Sequence, residues 1–315
     1  MTTPAQECPR CGAADFAVLF SGADRLYRTT SRRFQVVECG HCRLLQLYPR
    51  PSAEEQKAYY PERYWWAPDD SAVSRLESLY RDLVLADHVR FVWPGVEERQ
   101  PVLDVGCGGG SFLAALRRRG ARVVGMDLAA QAAGVAWRRH SVPALSGLAH
   151  QAPFRPGAFG AVTLFHVLEH LSAPHELLAG VHSLLRDDGR LYIQVPNAAC
   201  WQFLLLGELW SGIDIPRHLV HFRAEDITGL VENSGFRVLR TKFFSLRDNP
   251  AGLATSLAPS LEPMARRVRG VREGAVTRLV RHALYLGLVA AAAPFTALEA
   301  ACGAGSTVMI EAVKV

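Results

Sequence analysis

The 315-residue sequence contains no run in which lysine or arginine alternates with aromatic residues, so the footprint of a nucleic-acid binder is missing. Behind the polar opening MTTPAQECPRCG there is no apolar stretch. No secretory leader is therefore expected, and the cysteines are assigned to a reducing, cytoplasmic compartment. Nor is there an apolar run of membrane-spanning length: the best candidate, 283–298, falls short of the roughly 20 residues a bilayer core requires. Charge of one sign is barely in excess, at +5, which permits an anionic partner without demanding one. Hydrophobic residues at 49% and charged residues at 21% exclude a disordered chain, and the length allows one α/β core with accessory pieces.

What is present begins with cysteine. Cys8-x2-Cys11 and Cys39-x2-Cys42 form two knuckles, the spacing that brings four thiolates around Zn2+ in tetrahedral geometry. Such a site is closed, so its role is structural, or it presents a substrate-facing surface. Cys107, Cys200 and Cys302 are scattered and are expected to be small buried hydrophobes.

The zinc module spans 1–50, with strand character at Phe34–Val37. An aromatic linker and helix occupy 51–98: Tyr59 to Trp66 is aromatic, and Leu76, Leu79, Leu83 and Ala86 line one face of a helix from Ser74 to Val92. Pro94-Gly95 ends it. From Pro101 strands and helices alternate, which predicts a doubly wound α/β sheet over 99–245. Its strands are Val102–Val105, Arg122–Met126, Ala161–Phe165, Arg190–Val195 (after a turn at Asp187-Asp188-Gly189) and Arg237–Phe244, and the last is Thr307–Val313 within 306–315. The excess, 246–305, reads as a helical insertion.

The most informative stretch is Asp104-Val105-Gly106-Cys107-Gly108-Gly109-Gly110-Ser111, where a strand enters glycines and then a helix. Glycine lets the backbone approach a ligand, and the helix N-terminus presents unpaired N–H groups. Ser111 breaks the G-x-G-x-x-G dinucleotide pattern and disfavours a dehydrogenase. Asp104-x-Gly106-x-Gly108-x-Gly110 instead resembles motif I of class I S-adenosylmethionine-dependent methyltransferases. Residues 162–171 and 188–197 resemble the fourth- and fifth-strand motifs of the same family. The resemblance implies a Rossmann-like fold and an S-adenosylmethionine site of Asp104, Gly106, Gly108, Gly110, Asp127, Leu128, Phe165 and His166. In it Asp127 accepts from the ribose hydroxyls and Leu128 lies beside the adenine. The acid usual after the third strand is missing at 147–150, so adenine contacts fall to the backbone, His150 or Gln151.

With the zinc ribbon, the chain is similar to bacterial methyltransferases of polysaccharide and sugar pathways. Residues 207–222 resemble a signature of those enzymes. That likeness makes His221 the expected base, His218 the second candidate and Arg217 a substrate or anion clamp. The other reading of these side chains, with Asp214, is a hydrogen-bond network beneath the loop. His166-x-x-Glu169-His170 spells an inverted zinc-protease motif, yet it starts at a strand end rather than on a helix. Glu169 and His170 remain a weaker candidate for a divalent ion.

Methyl transfer to a hydroxyl or carbon of a small molecule, a sugar or glycolipid-type intermediate, is the expected function. A quinone or polyketide-like acceptor at the membrane surface is the alternative, and a non-catalytic cofactor-binding scaffold the reading from another class. For the insertion, packing on the core or at a homodimer contact is favoured over peripheral membrane contact through 266–302.

Overall fold

The computed structural model describes residues 6–61, 75–97, 100–149 and 152–315. The chain starts with three antiparallel strands, β1 (Phe16–Ala23), β2 (Arg33–Cys39) and β3 (Leu45–Tyr48). A short helix, α1 (Ala53–Ala58), is opened by a capping box: Ser52 accepts from Glu55 N, and the Glu55 carboxylate accepts from Ser52 N. α2 (Arg75–Val92) leads to the core.

In the core, β4 (Val102–Val105), α3 (Ser111–Arg118), β5 (Val123–Asp127), α4 (Ala130–His140), β6 (Ala144–Ser146), β7 (Phe159–Phe165), α5 (Pro174–Leu184) and β8 (Leu185–Pro196) alternate. α6 (Trp201–Leu206), β9 (Val220–His221), α7 (Ala224–Asn233) and β10 (Phe236–Lys242) follow. Three helices, α8 (Asn249–Leu257), α9 (Pro263–Val268) and α10 (Ala275–Ala301), then precede β11 (Thr307–Lys314).

The main sheet has the order β10-β11-β8-β7-β4-β5-β6, parallel throughout except for β11, which is antiparallel to both neighbours. Strands covered on both faces need near-continuous apolar sequence, and Leu103, Val162, Leu164, Leu191 and Ile193 have no exposed surface. The expected Rossmann-like α/β fold is therefore present. A second sheet, β1-β2-β3-β9, is completed by a core strand: Leu45 pairs with His221 and Gln46 with Val220.

Four expectations differ from what is found. Leu79 and Leu83 are 57% and 50% exposed, while α2 turns His88, Val89 and Val92 inward. The ring of His88 meets Val84 O and the Gln194 side chain, each at 2.8 Å, so a buried polar residue anchors α2 and disguises its inner face. The side chain of Leu76 lies outside the described residues, as do residues 62–74 of the aromatic stretch. Asp187-Asp188-Gly189 is not a turn ahead of a strand but an irregularity inside β8, with Asp188 at φ +60° and a register shift opposite Phe159/Ala161. Cys302 is exposed just beyond α10. α10 itself runs 27 residues, well past the apolar run, and is long and apolar enough to cross a membrane. Its inner face, with Tyr285 and Val289, packs with Ala251 and Ala254 of α8, a helix of the same insertion, while Val276, Leu279, Val280, Leu284 and Leu298 are exposed.

One buried cation joins these parts. The guanidinium of Arg217 has no exposed surface; it meets Asp24 at 2.8 Å and Asp214 at 2.7 Å, and lies 4.4 Å from the Tyr27 ring. Asp24 comes from the N-terminal module, Asp214 from the loop before β9. Burial alone would raise the pKa of Asp24, but the hydrogen bond and charge of Arg217 bring it down to about 2. Removing one partner of such a group leaves uncompensated buried charge, so Arg217→Met is expected to lower unfolding free energy by about 3–5 kcal/mol in urea titration. Because the folded pKa of Asp24 is depressed, its contribution is present above about pH 4 and fades as pH falls toward about 2.

Candidate active site

At the carboxyl edge of the main sheet, β4 runs into the glycine loop and α3. Gly106, Gly108 and Gly110 adopt φ of +78°, +51° and +78°, a region side chains disfavour. A Cβ on Gly106 would stand 2.6 Å from Val167 and one on Gly110 2.8 Å from Ala136, so these two glycines serve packing. Around Gly108 nothing lies within 4 Å, and the backbone there borders open space. Gly110 caps α3 without a side-chain bond, leaving the helix N-terminus facing the same crevice.

Asp127, at the end of β5, accepts from Gly108 N and Ala129 N, each at 2.9 Å. Burial raises its pKa despite these bonds. Asp104 is buried beneath the loop, with Thr163 donating to it at 2.6 Å. Burial and, to a smaller degree, the charge of Asp127 lift it to about 7, against the opposing Thr163 hydrogen bond. Leu128 is 64% exposed at the crevice rim. Phe165 packs edge-on against Phe112 and His88, with centroids 5.2 and 5.1 Å away. His150 and Gln151, the adenine-side candidates, lie outside the described residues.

Beyond the ends of β7 and β8 lies a cavity of about 570 Å³. Its wall includes Tyr27, Tyr80, Trp210 and Tyr285, and its polar lining includes His166, His170, Asp214, His218 and Asp248. His166 sits at φ +56°, with Nδ1 3.1 Å from Glu169 and Nε2 3.2 Å from Asp248. Burial opposes its charge, but the Asp248 charge and both carboxylate hydrogen bonds raise it to about 9. Gln194 also donates to Asp248 and continues to His88. His170 and His218 stack edge-to-face, centroids 4.7 Å apart.

Of the three residues expected to act on the acceptor, only His218 lines this cavity. His221 is 4% exposed on β9, behind His218; burial and the His218 charge push it down to about 3, and its Nε2 has no hydrogen-bond partner. Arg217 is held by Asp24 and Asp214 and has no exposed surface with which to clamp a substrate. Asp248 was not foreseen. Asp248-Asn249-Pro250 reads as a helix start, and Asp248 does occupy the N-cap of α8, yet its side chain caps nothing there and turns to His166.

A family model described as a methyltransferase domain matches residues 78–241, just over half of the chain. The chain belongs to that family. A ubiquinone biosynthesis O-methyltransferase of Xanthomonas campestris pv. campestris (strain B100) is 31% identical over 170 residues, 50% of this chain and 68% of the relative. Another, from Burkholderia pseudomallei (strain 1710b), is 26% identical over 194 residues, 56% of this chain and 80% of the relative. Among solved structures, a SAM-dependent methyltransferase from Archaeoglobus fulgidus matches with TM-score 0.50 at 20% identity, over 76% of this chain and 98% of that one. Magnesium protoporphyrin IX methyltransferase from Synechocystis PCC 6803, with bound SAH, also gives 0.50, at 15% identity over 82% and 97%. These likenesses concern the fold, and the protein is a methyltransferase with the Rossmann-like architecture of the SAM-dependent class.

The methyltransferase carries its four paired cysteines in one cluster. Sγ of Cys8 lies 3.5 Å from that of Cys42, and Cys11 lies 3.6 Å from Cys39. Thiolates at about 2.3 Å from a tetrahedral zinc stand roughly 3.8 Å apart, so the donor set and spacing fit Zn2+. Backbone turns hold each knuckle: Gly12 N donates to Cys8 O and Arg43 N to Cys39 O, both at 2.9 Å. Cys39→Ser is expected to weaken the thiolate-to-metal absorbance of the Co2+-substituted protein by about a quarter or more and to lower its thermal midpoint.

Proposed function

We propose that the crevice binds S-adenosylmethionine and that the cavity beside it presents a small-molecule hydroxyl to the donor's methyl group. The observation carrying this reading is the open backbone at Gly108, pinned by Asp127, at a sheet edge that continues through His166 into the cavity. Asp127 would take the ribose hydroxyls, Leu128 would flank the adenine, and Asp104 would orient the amino-acid part. Phe165 and His166 would border the methyl-bearing end. The four cysteines serve as a structural zinc ribbon. The acceptor oxygen forms a bond to the methyl carbon, the carbon–sulfur pair stays on sulfur, and the acceptor's proton leaves at the cluster of Glu169, His170 and His218. Alignment itself supplies much of the rate.

The acceptor favoured is a phenolic, quinone-precursor-like ring. Aromatic side chains of the cavity wall, the names of the relatives and the exposed apolar face of α10, suited to a membrane surface, all support it. Arg81, Arg247 and Arg267 on the same wall favour a second reading, a phosphate-bearing sugar or glycolipid-type acceptor. Turnover of a phenolic panel against a sugar-phosphate panel separates the two.

Calorimetry with S-adenosylhomocysteine tests the donor site. Asp127→Ala is expected to weaken binding about 10- to 100-fold, the loss of roughly 1.5–3 kcal/mol for hydrogen bonds to a charged group. Gly108→Ala should weaken it at least about tenfold by placing a methyl group in the crevice. Binding is also expected to fall toward about tenfold per pH unit below pH 7, where Asp104 must lose a proton before pairing with the ligand's ammonium, and Asp104→Asn should flatten that slope. No binding heat with donor or demethylated product would overturn the reading.

A further inference from the structure

The carboxylate of Glu169 is 1% exposed, and its two oxygens are treated differently. Oε1 faces His166, whereas Oε2 has no hydrogen-bond partner. An oxygen of an ionised group left unmet in the interior costs about 1–3 kcal/mol or more, so such an atom points to something that meets it.

Two imidazoles converge on the same place. His170 Nδ1 faces the carbonyl of Arg217 at 3.1 Å and the hydroxyl of Tyr60 at 2.9 Å. His218 Nδ1 faces the carbonyl of Gly212 at 2.9 Å. A carbonyl only accepts, so in each neutral ring the hydrogen sits on Nδ1 and the lone pair on Nε2. Glu169, His170 and His218 each offer a ligand atom, and these atoms lie within 4.8 Å of one another. Histidines that bind metal commonly donate their second nitrogen to a carbonyl, which fixes tautomer and ring angle. Both rings are held in that way here. Asp214 Oδ2 stands 3.9 Å from His218 Nε2, beyond hydrogen-bond reach, and Asp214 is already paired with Arg217.

We propose that Glu169, His170 and His218 bind a divalent first-row transition cation whose open positions face the acceptor cavity. Two nitrogens and one carboxylate suit Mn2+, Fe2+, Co2+ or Zn2+ better than the oxygen-seeking Ca2+ or Mg2+. His170 and His218 line the cavity, so a cation there reaches an acceptor hydroxyl, as a four-thiolate site cannot. The inference rests on the cavity being the acceptor site and states how the proton leaves. A coordinated hydroxyl releases its proton to solvent water at neutral pH, and the resulting oxyanion attacks the methyl carbon. His218 then acts as a ligand rather than as a base.

The test uses full-length protein with its cysteine site loaded with Zn2+, titrated with Mn2+ and followed by the loss of the free-ion electron paramagnetic resonance signal. Mn2+ binds soft thiolates too weakly to displace the zinc. One Mn2+ per chain is expected to bind. The isosteric Glu169→Gln and the cavity-wall His218→Ala should each weaken it at least about tenfold, with thiolate zinc and S-adenosylhomocysteine affinity unchanged. Mn2+ remaining free, or held equally by both folded variants, would overturn the proposal. Failure to bind S-adenosylhomocysteine while Mn2+ is held would instead sink the donor site and leave the metal site standing.

Discussion

The guanidinium of Arg217 is the contact on which the remaining geometry depends. A cation with no exposed surface must be met on every side, and Asp24, Asp214 and the Ile215 carbonyl meet it. Those groups belong to the N-terminal sheet and the loop before β9, so satisfying one charge fixes their relative position. The same residue's carbonyl faces His170 Nδ1. The ring at the cavity floor is thus oriented by the backbone of the residue whose side chain joins the modules. Buried ion pairs add little net stability over apolar packing, but breaking one is severe. That asymmetry suits a junction that has a single correct arrangement.

A second chain of polar contacts ties the insertion to the sheet. His88 on α2, Gln194 on β8, Asp248 at the start of α8 and His166 after β7 contact one another in turn. Ser306 donates to the Asp248 carbonyl at 3.3 Å, and the side chain of Asn249 donates to the Phe243 carbonyl at 3.0 Å. The insertion therefore helps form the cavity in which His166 sits.

Local pattern carried much of this into the sequence. The core strands were legible because burial on both faces demands uninterrupted apolar residues, and the glycine loop because positive φ leaves few other choices. The paired cysteines were legible through fixed ligand spacing. The inner face of α2 was not, since His88 is buried through partners distant in sequence and breaks the apolar period. Arg217 and His221 looked functional because residues 207–222 resemble a signature of sugar-pathway methyltransferases. Whether such a side chain reaches a cavity or a salt bridge is decided by Asp24, far away in the chain. Asp248 was hidden for the same reason. Glu169 and His170 were visible as a pair, whereas His218 joins them only through folding.

The pairing of β3 with β9 has a bearing on how such a protein can be rearranged by recombination. The N-terminal sheet is written in two distant places in the chain, its last strand lying between α6 and α7 of the core. Exchange of the first fifty residues with a relative would bring in a sheet edge and an aspartate to meet a strand and an arginine selected beside another partner. The transferable unit is discontinuous, and the cysteine module and the 214–221 loop are constrained to diverge together.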